Sequence, residues 1–422
     1  MPTQKPISND PYAAWKHADF KRYTLTNFLL IFGNQMVGTS LGWELYSRTG
    51  QVLDLGLMGF FVFLPTLLLT PLGGNVADRY DRRKILVVFT LIYLLGLLGL
   101  CWVSAYPVLP HFNWFVFGFN FLTGACNAFY NPAKQSLLPR LVPKNDIPNA
   151  VTWSSSVFQL ASVAGPAACG LLLAASFPHA FIYGSAVFFE TLFLLALLSL
   201  ELKGPIPPKT AISLESLVEG AKFVWNTKPI LATITLDLFA VLLGGCVALL
   251  PPFVKEILHS GPQSLGWLRA APSVGAFAMA LWLTRNPLKK PGLILLWAVA
   301  GFGVATIVFG FSRNLWLCLV LMVIIGALDN ISVIVRGSLV QVLTPNRLLG
   351  RVQSVNYLFI YSSNELGGFE SGTVAALVGV VPSIVLGGIG SILIVLGVAA
   401  LWPQVAGLHS LHDPLGKKAP PS

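Results

Sequence analysis

The chain has 422 residues, of which 55% are hydrophobic and only 10% charged. Soluble chains carry about 25% charged residues, so an ordinary water-soluble enzyme or binding module is excluded. The net charge of +10 would suit a nucleic-acid partner, but the cations sit in segments between apolar runs, which points to a membrane surface instead.

The N-terminal segment, Met1 to Arg22, is polar and has no apolar core followed by a small-residue cleavage site. No cleaved signal peptide is expected, and the first apolar run directs insertion. Twelve runs then follow, at about 24–46, 54–76, 85–106, 112–131, 148–173, 178–200, 229–253, 264–284, 292–311, 314–335, 351–376 and 381–402. A run of about 20 residues at 1.5 Å per residue spans the roughly 30 Å bilayer core as a helix. The expected fold class is an all-α membrane protein with twelve transmembrane helices. With the N-terminus inside, 23 of the 27 cations fall in cytoplasmic segments, and only Arg48, Lys255 and Arg313 fall outside. Arg269 lies near the outer start of the eighth run. This asymmetry places both termini inside and supports an even number of spans.

The loop between the second and third spans reads Gly74-Asn75-Val76-Ala77-Asp78-Arg79-Tyr80-Asp81-Arg82-Arg83-Lys84. Four cations in so short a loop anchor it on the cytoplasmic side, with Asp78 and Asp81 as nearby partners. The ordered Gly/Asp/Arg spacing resembles the loop signature of the major facilitator superfamily. Gly74, Asp78, Arg79, Arg82, Arg83 and Lys84 match it, and Asp81 stands where the signature has a second glycine. The resemblance implies a role for this loop in gating a transport cycle. It also implies two pseudo-symmetric six-helix bundles, the major facilitator fold.

Five cysteines, Cys101, Cys126, Cys169, Cys246 and Cys318, all fall inside apolar runs with no metal-ligand spacing. They read as small packing residues, and no metal or cofactor is expected. The longest internal linker, 201–228, opens with Pro205, Pro207 and Pro208 and then turns amphipathic from Ile212 to Trp225. That pattern predicts a helix at the cytoplasmic membrane face. The linker divides an N-terminal half, 1–200, from a C-terminal half, 229–422.

The halves repeat. Ser136, Leu137, Leu138, Leu141 and Pro143 match Ser338, Leu339, Val340, Leu343 and Pro345 at a constant offset of 202 residues, which also aligns Gly165 with Gly367. Such a parallel repeat predicts a transporter whose binding site lies between the halves near the bilayer midplane.

An ionisable residue inside a span is costly and marks a functional hypothesis. Asp237, Asp329, Glu365 and Glu190 lie within the seventh, tenth, eleventh and sixth spans. Glu370 and Glu44 lie nearer the outside, where water reaches Glu44. In the superfamily, spans one, four, seven and ten line the central cavity and six is peripheral. The resemblance therefore ranks Asp237 and Asp329 first as proton-coupling candidates, Glu365 next and Glu190 last. The alternative is an internal ion pair: Asp329 and Arg336 share a helix face, and Asp237 could pair across helices. Asn27, Asn34 and Gln35 on the first span, with Asn120 and Asn127 on the fourth, either line a polar cavity or join helices by hydrogen bonds. Asn120 stands where proton-coupled relatives often carry an arginine. In the fifth span Gly165, Pro166 and Gly170 resemble the superfamily's antiporter motif, with Cys169 replacing one glycine, and suit close packing and a helix bend.

The whole chain is similar to the drug and siderophore exporter branch of the superfamily. Asn131-Pro132-Ala133 and Leu349-Gly350-Arg351-Val352 add to that resemblance. It implies a monomeric, proton-driven exporter of a small amphipathic molecule in the inner membrane. Its partners would be the lipid bilayer, the substrate and protons, with no nucleic acid. An importer of a siderophore complex or metabolite, or a non-transporting receptor, would use the same scaffold. No nucleophile–base pair, H-E-x-x-H or Walker loop is present, so neither an enzyme nor an ATP-driven pump is expected.

Overall fold

The computed structural model describes residues 10–106, 111–135, 137–200, 214–286, 288, 290–345 and 347–407. No strand occurs among the described residues. The helices of the first half are α1 (Ala18–Thr49), α2 (Val52–Arg79), α3 (Arg82–Ser104), α4 (Phe112–Gln135), α5 (Ile147–Ala174) and α6 (His179–Ser199). The linker helix α7 (Leu214–Asn226) leads into α8 (Lys228–Gly244) and the short α9 (Leu250–Pro252), followed by a π turn over Phe253–Ile257. Then come α10 (Pro262–Arg285), α11 (Pro291–Phe311), α12 (Leu315–Leu343), α13 (Leu349–Val378) and α14 (Val380–Leu401).

Counting α8 and α9 with their turns as one crossing, these helices agree with the twelve predicted spans. Eight are apolar enough throughout to be read as membrane spans from length and composition. The other four are α1, α4, α10 and α13.

The chain divides into two compact units, Met1–Leu41 with Leu64–Ala211, and Gly42–Phe63 with Ile212–Ser422. In the first, α3 lies against α4 and α6. Phe20, Leu30, Leu86, Leu137, Phe193 and Leu197 are almost fully buried in its core. In the second, α10 packs on α12, α11 on α14, and α8 on α13 and α14. Residues 42–63 belong to this second unit by their contacts. Phe60 meets Phe369 at 5.1 Å between ring centroids. A Cβ on Gly59 would stand 2.6 Å from the Glu365 carbonyl oxygen.

The sequence repeat has a structural counterpart in each unit. A Cβ on Gly165 of α5 would come within 2.6 Å of Gln35 Cβ and 2.8 Å of the Phe32 carbonyl oxygen on α1. A Cβ on Gly367 of α13 would come within 3.0 Å and 3.1 Å of the Val241 and Leu242 carbonyl oxygens on α8. Aligned glycines thus bring equivalent helix pairs into backbone contact, the packing device of membrane helices. Pro166 and Gly170 are buried beside Gly165, and α5 runs unbroken through the proline.

The α2–α3 loop explains its missing glycine. Asp81 adopts φ −62° and ψ 119°, an extended conformation open to any residue, and its carboxylate accepts from the Arg83 backbone N–H at 2.9 Å. Asp81 is therefore the N-cap of α3, so that position has no need of positive φ. Arg83 donates to the Leu198 carbonyl at the end of α6. Gly74 is buried; the side chains of Asp78 and Arg79 lie outside the described residues.

The linker helix lies closer to the bundle than its amphipathic pattern predicts. Instead of resting only at a membrane face, α7 docks on α13 and α8. Val224 is buried there, a Cβ on Gly220 would stand 2.8 Å from the Arg351 carbonyl oxygen, and Glu219 pairs with Arg351. Val218 and Trp225, seven residues apart, remain exposed on the opposite face. The prolines at 205, 207 and 208 lie outside the described residues.

Candidate functional site

Polar side chains inside the second unit converge on one point. Asp237, on α8, is 4% exposed and Arg336, on α12, 2% exposed. The two form an ion pair. Ser332, one turn before Arg336, donates from its hydroxyl to Asp237 Oδ1 at 2.8 Å. Asp329 precedes Ser332 by three residues and Arg336 by seven, so all three share one face of α12.

Asp237, Ser332 and Asp329 also line a small cavity with Val299, Phe302 and Leu328, with room for about one water molecule. The site therefore holds one guanidinium and two carboxyl groups. Arg336 compensates Asp237, whereas Asp329 makes no hydrogen bond or ion pair among the described residues. Asp329 itself is half-buried.

The structure decides which ion pair forms. The buried pair is Asp237 with Arg336, across helices, and not Asp329 with Arg336 along one. It also corrects the assignment of Arg336 to a cytoplasmic loop. Helix α12 runs on to Leu343, and Arg336 is inside the bundle. Glu365 is half-buried on α13 and does not line this cavity. Glu44, expected to be wetted, is 1% exposed and paired with Arg48 at 2.5 Å.

Two of the five candidate amides of the first unit join helices. Asn34 accepts from the Tyr93 hydroxyl of α3 at 3.0 Å, and Gln35 Nε2 donates to Ser162 Oγ of α5 at 3.2 Å. Asn120 Nδ2 turns back to the Val116 carbonyl of its own helix at 2.8 Å. Asn27 is buried, its Oδ1 has no hydrogen-bond partner, and Asn127 is half-buried.

Three further groups stand out in the structure. Glu190, ranked last as peripheral, is 4% exposed. Asp54, at the start of α2, is buried with Oδ2 unpartnered. The Tyr46 hydroxyl donates to Glu256, and Lys255 lies 5.6 Å from the Tyr46 ring centroid. Only an ionisable residue in an apolar run could have flagged the first two, and the third depends on contacts far apart in sequence.

A buried ion pair and an adjacent unpartnered carboxyl inside a helical membrane bundle fit a transporter. The sequence profile of the family described as transmembrane secretion effector matches residues 9–410. The chain belongs to that family, within the major facilitator superfamily. It is 27% identical over 409 residues to the enterobactin exporter EntS of Escherichia coli (strain K12), covering 94% of each chain. It is 26% identical over 385 residues to the EntS of Citrobacter koseri, covering 90% of each. Among solved structures, a bacterial homolog of the human lysosomal transporter Spinster, inward-facing and unoccupied, superposes with a TM-score of 0.72 at 14% identity. That match covers 98% of this chain and 100% of the other. A bacterial homologue of the iron transporter ferroportin, in its inward-facing state, gives 0.69 at 16% identity, covering 92% and 98%. At such identities the structural matches speak for the fold. The protein is a multi-pass membrane transporter and not an enzyme.

Proposed function

We propose that this protein is a proton-coupled exporter of a small amphipathic molecule, a siderophore or a drug-like compound, working by alternating access as a monomer in the inner membrane with both termini cytoplasmic. The observation that carries the reading is the pairing at the α8–α12 site: Arg336 neutralises Asp237 and leaves Asp329 beside it with no counter-charge. Protonation and deprotonation of Asp329 change the net charge of this buried site by one. A conformational equilibrium shifts only if its two states bind the proton with different affinity. A site that is dry in one state and wetted in the other meets that condition, since burial disfavours the charged form. Asp237 and Glu365 are the further carboxylates on which such coupling could depend. Similarity over most of the chain to exporters named for enterobactin favours a siderophore among substrates.

The test is accumulation in proteoliposomes, with enterobactin and ethidium as separate probes. With an acidic lumen, proton exit drives substrate entry, and both accumulation and a rise in lumenal pH are expected. Accumulation driven by the opposite gradient would identify an importer. No movement of either probe under any gradient would favour a receptor.

A further inference from the structure

The ionisable groups of the first unit form a second arrangement, unlike the closed pair at Asp237. Glu190 lies near the middle of α6, 4% exposed, and makes no hydrogen bond or ion pair among the described residues. Each neighbouring helix brings a different set of groups towards it. Helix α4 contributes Cys126, Tyr130 and Lys134, which recur every four residues and so share one face. All three interact electrostatically with Glu190. Helix α3 contributes Tyr93, and α1 contributes Tyr23, whose ring centroid is 6.1 Å from that of Phe193 on α6. Helix α5 meets α6 where Cys169 packs near Ile182, and α5 carries no charged residue.

Lys134 does not close on Glu190. Its Nζ lies 5.4 Å from the centroid of the Tyr130 ring. The Tyr130 hydroxyl is itself buried without a hydrogen-bond partner. The carboxyl is buried and the ammonium half-buried, and the two make no ion pair. Burying a carboxylate unpaired costs several kcal/mol. Only two events relieve that penalty locally: closure on Lys134, or capture of a proton.

The repeat gives this position a counterpart. At the 202-residue offset Lys134 aligns with Arg336, so the same place in each half holds a cation, half-buried in the first and buried in the second. In the second unit the cation is closed on Asp237; in the first it rests on an aromatic face beside an unpartnered carboxyl.

We propose that Glu190 is a second proton-binding site, in which a proton and the Lys134 ammonium compete for the carboxylate. When Glu190 gives up its proton to water, the resulting carboxylate closes on Lys134. When it regains the proton, the pair opens and Lys134 returns to the Tyr130 ring. No other bond forms or breaks. The inference rests on the transporter reading above, but not on the role given there to Asp329.

Infrared difference titration of the full-length protein in lipid nanodiscs reads this directly, without transport. The wild type is expected to show a protonated-carboxyl C=O band that disappears with rising pH, and Glu190→Gln is expected to lack that component. Lys134→Gln removes the competing cation and should move its midpoint to higher pH by about one unit, tenfold in proton affinity. Lys134→Arg should restore the midpoint. An unchanged band in Glu190→Gln, or an unmoved midpoint in Lys134→Gln, would overturn the proposal. If Glu190→Gln does not fold, the two lysine variants still decide it. Asp329→Asn serves as the control and should keep the Glu190 component. Failure of the wild type to move either probe under any pH gradient, with an intact Glu190 titration, would sink the exporter reading alone.

Discussion

Arg336 of α12 is closed on Asp237 of α8, with side chains 3% and 5% exposed. Burying two ions is expensive, and their attraction offsets this only while both are present. Replacing either one by alanine leaves the other charged and unpaired, which should destabilise the protein by about 3–5 kcal/mol. The double variant Asp237→Ala/Arg336→Ala should recover much of that loss. Thermal unfolding in detergent, run as a double-mutant cycle, reads the coupling. Additive losses would mean that the pair contributes nothing as a pair.

Asp329 should behave in the opposite way. It makes no hydrogen bond or ion pair among the described residues, so Asp329→Asn removes no partner. Its unfolding temperature should stay close to wild type while pH-driven transport falls at least tenfold. Separating stability from coupling is what distinguishes a proton carrier from a structural charge.

The close approach of α5 to α1 leaves no space at Gly165. Gly165→Val would press into Gln35 Cβ and the Phe32 carbonyl oxygen, and backbone oxygen cannot rotate away. Overpacking of this kind costs about 1–3 kcal/mol. Gly367→Val should cost a similar amount against Val241 and Leu242. Gly99→Ala and Gly118→Ala, where an added Cβ meets nothing within 4 Å, should be nearly silent. Thermal shifts of the four variants check the contrast.

The linker helix is held by shape more than by charge. Glu219 and Arg351 are paired, but their side chains are 46% and 42% exposed, so Glu219→Gln should change stability by less than about 1 kcal/mol. Gly220→Val, against the Arg351 backbone, should cost about 1–3 kcal/mol. A larger effect from the charge variant would reverse that assignment.

Much of the fold was legible because the bilayer imposes one rule, about 20 apolar residues per crossing. The repeat was legible too, down to the aligned Gly165 and Gly367. The α7 helix was visible in its amphipathic pattern, but its docking was not, because Gly220 and Val224 meet residues far along the chain. Arg336 looked like a loop cation because the apolar window ends just before it, although α12 continues for two more turns. The burial of Glu190 was illegible for a different reason. A helix that is apolar all round gives no periodicity from which to tell a lipid face from a bundle face. Asp81 shows the reverse case: an aspartate directly before a helix is an N-cap signal, and only comparison with a glycine signature made it look out of place.

The most direct test of the account is the proton dependence of export by Asp329→Asn. In proteoliposomes with an acidic lumen, wild type should accumulate enterobactin or ethidium and lose accumulation when the gradient is collapsed. Asp329→Asn should still exchange labelled for unlabelled substrate at equilibrium, but should no longer accumulate it when the gradient is imposed. If the variant accumulates substrate as strongly as wild type and still depends on the gradient, Asp329 is not the coupling residue and the charge argument at the α8–α12 site fails.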